Sequence, residues 1–129
     1  MAGFVTGYSW EVAVAGARSL RSSDVAGGSD PYAVLYWSTG EEERTAVTHR
    51  TSDPVWDAVF ATPERQNFVM VEVWDKDTLT ADDFLGSVKI ALSNADDDVR
   101  DVWEPLLGRD NEPTGGDIHL RITKVPIYA

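Results

Sequence analysis

The chain has 129 residues, 43% hydrophobic and 26% charged, a composition expected of one globular domain spanning residues 1–129. Its 11 basic residues against 22 acidic ones leave a net charge of −11, which repels nucleic-acid phosphates and, unless neutralised locally, anionic lipid surfaces too. Without cysteine, a disulfide framework and any thiolate metal or catalytic site are excluded.

The opening segment MAGFVTGYSW lacks a basic region and an unbroken apolar run, so it reads as the start of the fold rather than as a signal peptide. No stretch approaches the roughly 20 apolar residues that a membrane-spanning helix needs. Neither Met-Gly at the start nor a prenylation cysteine at the end signals a lipid anchor. Helical periodicity is nearly absent. Short apolar runs recur instead at intervals of roughly ten to fifteen residues, separated by Gly, Pro, Asp and Ser, the pattern of an all-β antiparallel sandwich.

Eight strands are expected. The first carries Trp10, Val12 and Val14 in alternation with Glu11 and Ala13. The second runs from Tyr32 to Trp37, just after Pro31, where a proline least disturbs a ladder. The third is Thr45 to His49 and the fourth Val55 to Ala61. The fifth, Phe68 to Trp74, places Val69, Val71 and Val73 on one face and Met70 and Trp74 on the other. The sixth is Phe84 to Leu92, the seventh Val102 to Leu107. In the eighth, Ile118 to Val125, Ile118, Leu120 and Ile122 alternate with polar residues, as in a half-buried antiparallel strand. The SNADDD segment from Ser93 to Asp98 has the chemistry to start a short helical turn. Trp10, Trp56, Trp74 and Trp103 are expected in the core, and His49 and His119 on the surface.

Aspartates concentrate in two connections. One holds Asp24 and Asp30, and the other runs from Asp75 through Asp77 to Asp82 and Asp83. Asp75 and Asp77 are two apart at a strand end, so their carboxylates are expected on one side of the pleat. Gathered carboxylates repel unless a cation or proton is shared, and calcium, which takes six to eight hard oxygen ligands in flexible geometry, suits such a group. An Asp-rich turn by itself equally describes a solvated face. An EF-hand is excluded, because a loop begun at Asp75 puts Thr80 where Gly is required and Gly86 where the bidentate Glu belongs.

Four linked motifs go further. Trp10-x-Val-x-Val14-x-x-Ala17-x-x-Leu20, Ser29-Asp30-Pro31-Tyr32, Thr48-x-x-Thr51-x-Asp53-Pro54-x-Trp56 and Val71-x-Val73-x-Asp75-x-Asp77 followed by Asp82-Asp83-Phe84-Leu85-Gly86 resemble, in order, the signatures of C2 domains. That resemblance covers residues 9 to 125 and implies an eight-stranded Greek-key sandwich. Gly116 to Ile122 looks like the strand that opens the domain in the family's first arrangement, and residues 1 to 8 are too few for another strand. The resemblance thus implies the second, circularly permuted arrangement of phospholipases and novel protein kinase C enzymes.

Carried over position by position, the family's calcium ligands fall on Asp24, Asp30, Asp75, Asp77 and Asp83. Asp83 is preferred to Asp82 because the family aspartate stands three residues before the glycine, here Gly86. The resemblance also implies carbonyl ligands near Val25 and Lys76, the Thr80 hydroxyl for an outer ion, and membrane-contacting side chains at Val25 and Leu79. Five such carboxylates carry about −5, which two calcium ions change by +4 and three by +6. The expected function is accordingly a calcium-triggered dock for anionic phospholipid of the phosphatidylserine kind, cytoplasmic and peripheral at membranes. The family's Lys-rich strand is replaced by Glu41 to Arg50, where Arg44 and Arg50 are the only firm positive charges, so phosphoinositide selectivity is not expected. A calcium-dependent protein partner is the alternative reading. No nucleophile elbow, phosphate-binding Gly loop or His-Glu-x-x-His motif appears, and no enzyme is expected.

Overall fold

The computed structural model describes residues 3–21 and 28–129. Eight strands follow in order: β1 Val5–Arg18, β2 Pro31–Trp37, β3 Glu42–Arg44, β4 Val55–Thr62, β5 Phe68–Asp75, β6 Asp83–Ala91, β7 Val99–Leu107 and β8 Pro113–Tyr128. Every pairing is antiparallel, in the order β3-β2-β5-β6-β7-β8-β1-β4. A single pair, Ser87 with Leu107, joins β6 to β7. The ladder therefore folds into two four-stranded halves, β3-β2-β5-β6 and β7-β8-β1-β4, that share one core. The C-terminal strand lies against β1, as the permuted arrangement requires, and residues 5–8 lengthen β1 instead of adding a strand.

Strict alternation builds that core. Val12 and Val14 of β1, Val69, Val71 and Val73 of β5, and Ile118, Leu120 and Ile122 of β8 are buried on the inner faces. Leu35, Trp37, Leu85, Ile90 and Leu106 close the space between the halves, with Trp56 and Phe60 packed at the side. Full burial of each aliphatic side chain is worth roughly 1.5–3 kcal/mol, and this bulk outweighs the repulsion of the acidic surface.

Three expectations need correction. The third strand is Glu42–Arg44, and residues 45–49 lie outside the regular ladder. The reason is local: the Thr45 hydroxyl takes the Ala33 N–H at 2.9 Å while the Thr45 N–H reaches the Ala33 carbonyl at 2.9 Å, so one residue answers both backbone groups. Trp103 is 43% exposed on the outer face of β7, because Val102 and Leu106 set the inward parity there. The Ser93–Asp98 segment forms a turn, in which the Ser93 N–H bonds to the Asp96 carboxylate at 2.8 Å, and no helix follows.

Candidate metal centre

Strand direction brings the acidic connections to one pole. β2 begins there, β5 ends there and β6 begins there, and the register sets Pro31 opposite Asp75 and Asp75 opposite Asp83. Asp30, one residue before Pro31, thus sits beside Asp75 with Asp83 across from it. Like charges placed directly opposite on a sheet destabilise it unless something neutralises them.

Backbone donors hold these carboxylates. Asp75 Oδ1 accepts the Asp30 N–H at 2.8 Å, Asp30 Oδ1 accepts the Arg50 N–H at 2.8 Å, and the Asp30 carbonyl accepts the Lys76 N–H at 2.9 Å. Residues 48–51 are drawn to the same pole, where the Thr51 N–H bonds to the Ser29 carbonyl at 2.9 Å. The Asp75 pKa is raised, first by burial and then by the negative charges of Asp30 and Asp83, against the lowering effect of the Asp30 N–H. Charge at Asp75 is therefore only partly compensated from within the chain.

The β5–β6 connection is braced differently. Asp77 lies past the end of β5 and turns its carboxylate onto its own loop. Its Oδ1 accepts the Leu79 N–H at 3.0 Å and its Oδ2 the Thr80 hydroxyl at 2.7 Å. Those hydrogen bonds, the Leu79 N–H foremost, lower its pKa. Asp82 ties the loop to β2, with Oδ1 accepting the Asp77 N–H at 3.0 Å and Oδ2 the Tyr32 hydroxyl at 2.5 Å. The Asp77 N–H is the main cause of the lowered Asp82 pKa, with the Tyr32 hydroxyl next and Lys76, 3.8 Å away, adding to it. Both Asp82 oxygens are thus engaged within the chain.

The remaining predicted residues divide in two. Leu79 is 92% exposed at the loop tip and Thr80 is exposed beside it, tied to Asp77. Lys76 follows Asp75 directly, with its N–H bound to Asp30. Asp24 and Val25 lie outside the described residues. Among the described residues, no three acidic or histidine side chains close into a ready-made cage; the register brings Asp30, Asp75 and Asp83 to one pole, and Asp77 follows in the β5–β6 connection, bonded to its own loop. The donor set fits calcium in kind. It consists of carboxylate and hydroxyl oxygens with no sulfur, and it surrounds a carboxylate whose charge repulsion a divalent cation would relieve.

The bracing role of Asp82 is absent from the sequence reading. It depends on Tyr32, fifty residues away, and no spacing rule signals it.

Comparison with known proteins bears on the fold and the family. A family model for the C2 domain matches residues 9–106. The chain is 32% identical over 114 residues to human RasGAP-activating-like protein 1, covering 84% of this chain and 14% of that protein. It is 33% identical over 84 residues to rice (Oryza sativa subsp. japonica) elicitor-responsive protein 3, covering 64% of this chain and 58% of that one. It thus spans less than two thirds of the length of these relatives. The C2A domain of plant extended synaptotagmin 1 superposes with a TM-score of 0.83 at 21% identity, covering 98% of this chain and 99% of that one. The calcium-bound C2A and C2B domains of extended synaptotagmin 2 superpose with a TM-score of 0.77 at 26% identity, over 95% of this chain and 46% of that one.

Proposed function

This chain belongs to the C2 domain family, and from that premise we propose that it is a calcium-dependent phospholipid-binding module, one domain across residues 1–129, that docks on anionic membranes. The observation that carries the reading is the convergence of Asp30, Asp75 and Asp83 on three adjacent strands at one pole, with the Asp75 pKa raised by burial and by its two neighbours. The extended synaptotagmin 2 structure, described as calcium bound, supports it by likeness of fold.

In this reading Asp24, Asp30, Asp75, Asp77 and Asp83 hold two or three calcium ions, with the carbonyl oxygens of Val25 and Lys76 and the Thr80 hydroxyl completing the set. Bound calcium would supply positive charge and open coordination positions for headgroup oxygens. The chain's own residues do the rest. Backbone N–H groups fix the Asp30 and Asp75 carboxylates, and Asp82 holds the β5–β6 loop against Tyr32. Leu79 projects from the tip, where its insertion would contribute roughly 1.5–3 kcal/mol, and Val25 is assigned the same role. Screening over about 8 Å at physiological ionic strength hides the remaining acidic surface from a docked headgroup. Among the described residues no helix is long and apolar enough to cross a membrane, and the attachment proposed is peripheral, on the cytoplasmic face.

The test is co-sedimentation with phosphatidylserine-containing vesicles in calcium and in chelator, beside an Asp75→Asn/Asp77→Asn variant. Pelleting that needs calcium and is lost in the variant is the expected result. Pelleting of neither protein in either condition would leave the fold standing and remove the membrane role.

A calcium-dependent protein partner is the second reading, favoured by one observation. The outer face of β7-β8-β1-β4 presents Trp103 with exposed Val55 and Val59, while β3 offers lipid only Glu42, Glu43 and Arg44. Calcium-dependent capture of a protein in the absence of lipid would support it.

A further inference from the structure

Beside the aspartates, between the start of β6 and the turn joining β7 to β8, lies an open hollow of about 720 Å³ whose lining includes Arg21, Asp82, Asp83, Phe84, Arg109 and Asp110. One residue, Phe84, holds both cations. Arg21 donates to the Phe84 carbonyl at 3.1 Å, and the Arg109 guanidinium lies 4.4 Å from the Phe84 ring centroid and 5.7 Å from that of Trp74. Trp74 and Phe84 support each other edge to face at 5.4 Å. The Arg109 guanidinium thus lies over the two rings, and among the described residues no ion pair joins it to a carboxylate. Arg21 spends one of its five N–H groups on the carbonyl.

Two guanidiniums held at one hollow match a phosphate group, which arginine binds through paired N–H donors. The acidic lining decides when. Asp82 has both oxygens engaged, by the Asp77 N–H and the Tyr32 hydroxyl, and Asp110 accepts the Glu112 N–H at 3.1 Å. Three carboxylates against two guanidiniums still repel an anion. Calcium at Asp83, immediately before Phe84, would tip the balance the other way.

We infer that this hollow is a second anchoring point, built on Arg21, Arg109 and Phe84, which takes the phosphate of a lipid headgroup once calcium is bound at the adjacent aspartates. It rests on the membrane reading above and deepens it, because the pole then holds headgroups at two kinds of contact, one through calcium and one through arginine.

The experiment compares the whole chain with Arg109→Gln, Arg21→Gln and a charge-matched control, Arg121→Gln, on the outer face of β8. Readouts are the vesicle concentration giving half-maximal pelleting in calcium and calcium affinity without lipid. The two hollow variants should each need five- to tenfold more phosphatidylserine vesicles, with lipid-free calcium affinity within twofold of the parent, while Arg121→Gln changes binding less than twofold. If the parent pellets in calcium and all three variants weaken alike, net charge explains the loss and the hollow is overturned alone. If the parent does not pellet at all, the membrane reading falls and takes the hollow with it. In calcium-loaded protein, dihexanoylphosphatidylserine should shift the Arg109 Nε–H resonance more than O-phospho-L-serine does. The reverse order would assign the hollow to a free phosphate compound and overturn the lipid assignment.

Discussion

Acidic residues crowd two regions of this molecule, and the chain treats them differently. On and beside the outer face of β7-β8-β1-β4, four acids meet a cation or histidine. Asp117 lies 3.0 Å from Arg18, Asp96 3.3 Å from Arg100, Asp98 3.8 Å from Lys124 and Asp101 2.5 Å from His119. At the pole, where His49 lies 3.9 Å from Asp30 and Lys76 3.8 Å from Asp82, Asp30, Asp75 and Asp77 are held mainly by N–H and hydroxyl donors, which orient a carboxylate without cancelling its charge. A sheet face compensated within the chain is finished when the chain folds. A pole organised by dipoles but short of positive charge is arranged for a cation from outside.

Calcium should separate the two regions most widely. A ligand that binds only the folded state at a hundredfold excess over its Kd stabilises by about 2.7 kcal/mol, a rise in Tm on the order of 10 °C for a chain of this size. Asp75→Asn should abolish most of that rise. The Asp75 pKa is raised, so its ionised form costs the fold stability above the folded pKa, and the neutral amide removes that cost. Asn also retains an oxygen to accept the Asp30 N–H. The calcium-free Tm of the variant should therefore equal or exceed that of the parent. Differential scanning calorimetry in calcium and in chelator reads both effects. A calcium-induced rise that survives Asp75→Asn would remove Asp75 from the site.

The next effect tests how the pole is held in register. Between Val73 and Trp74 the pairing shifts, from Val73 with Gly86 to Trp74 with Phe84, and this irregularity sets Asp83 opposite Asp75. Gly86 has φ +145°, and a Cβ there would lie 2.8 Å from the Cβ of buried Leu106. Gly86→Ala should cost about 1–3 kcal/mol through crowding and strain, and should shrink the calcium-induced rise because the Asp75–Asp83 register shifts with it. Gly115→Ala, at φ +91° with nothing within 4 Å of the added carbon, should cost only the backbone term, about 1 kcal/mol, and leave the calcium response unchanged.

The same contrast explains what was legible in the sequence. Alternation placed β5 and the buried centre of β8 correctly because each inner face is a run of Val, Ile or Leu, and period two needs no partner to be read, but it missed that β8 extends over Pro113–Tyr128 through the expected turn at 113–116. Asp30, Asp75 and Asp83 were legible because Pro31, the end of β5 and Gly86 mark their places along the chain. Trp103 was misjudged on bulk alone, although Val102 and Leu106 carried the parity that turns it outward. The ladder's end at Arg44 was hidden, because it depends on the Thr45 side chain meeting Ala33. The contacts of Asp82, Arg21 and Arg109 were not legible either. Each is fixed by Tyr32 or Phe84 across a sheet edge, and such pairings exist only once the strands are in register.

Alkaline pH probes the Tyr32–Asp82 brace more gently. Burial, followed by the Asp82 hydrogen bond and charge, raises the Tyr32 pKa to about 12, and burial with Glu72 does the same for Tyr36. A phenol with a raised folded pKa keeps its proton in the fold after the unfolded chain has lost it. Its stabilising effect is whole below about pH 10 and is lost as pH climbs through about 12. Chemical denaturation should show stability falling across that window, and Tyr32→Phe should flatten part of the fall. A variant as steep as the parent would detach Tyr32 from the effect.

The smallest expected change lies on the compensated face. Asp117 pairs with Arg18 at 3.0 Å, both partly exposed, and such surface pairs are worth roughly 0.2–1 kcal/mol. Arg18 also lies 4.1 Å from the ring centroid of Trp103, which stacks on His119 at 4.7 Å. Asp117→Asn should thus lower Tm by at most a few degrees, by the same amount in calcium and in chelator, and less in high salt, where screening already weakens the pair. Equality across calcium is the informative part. At the pole, removing the Asp75 carboxylate should leave calcium-free stability intact or raised and abolish the response to the ion. On the face, removing one should lower stability slightly and leave the response alone. An Asp117→Asn variant whose calcium response fell with its Tm would mean that the two regions share one electrostatic balance, and that the pole draws on the charges of the sheet face as well as on its own.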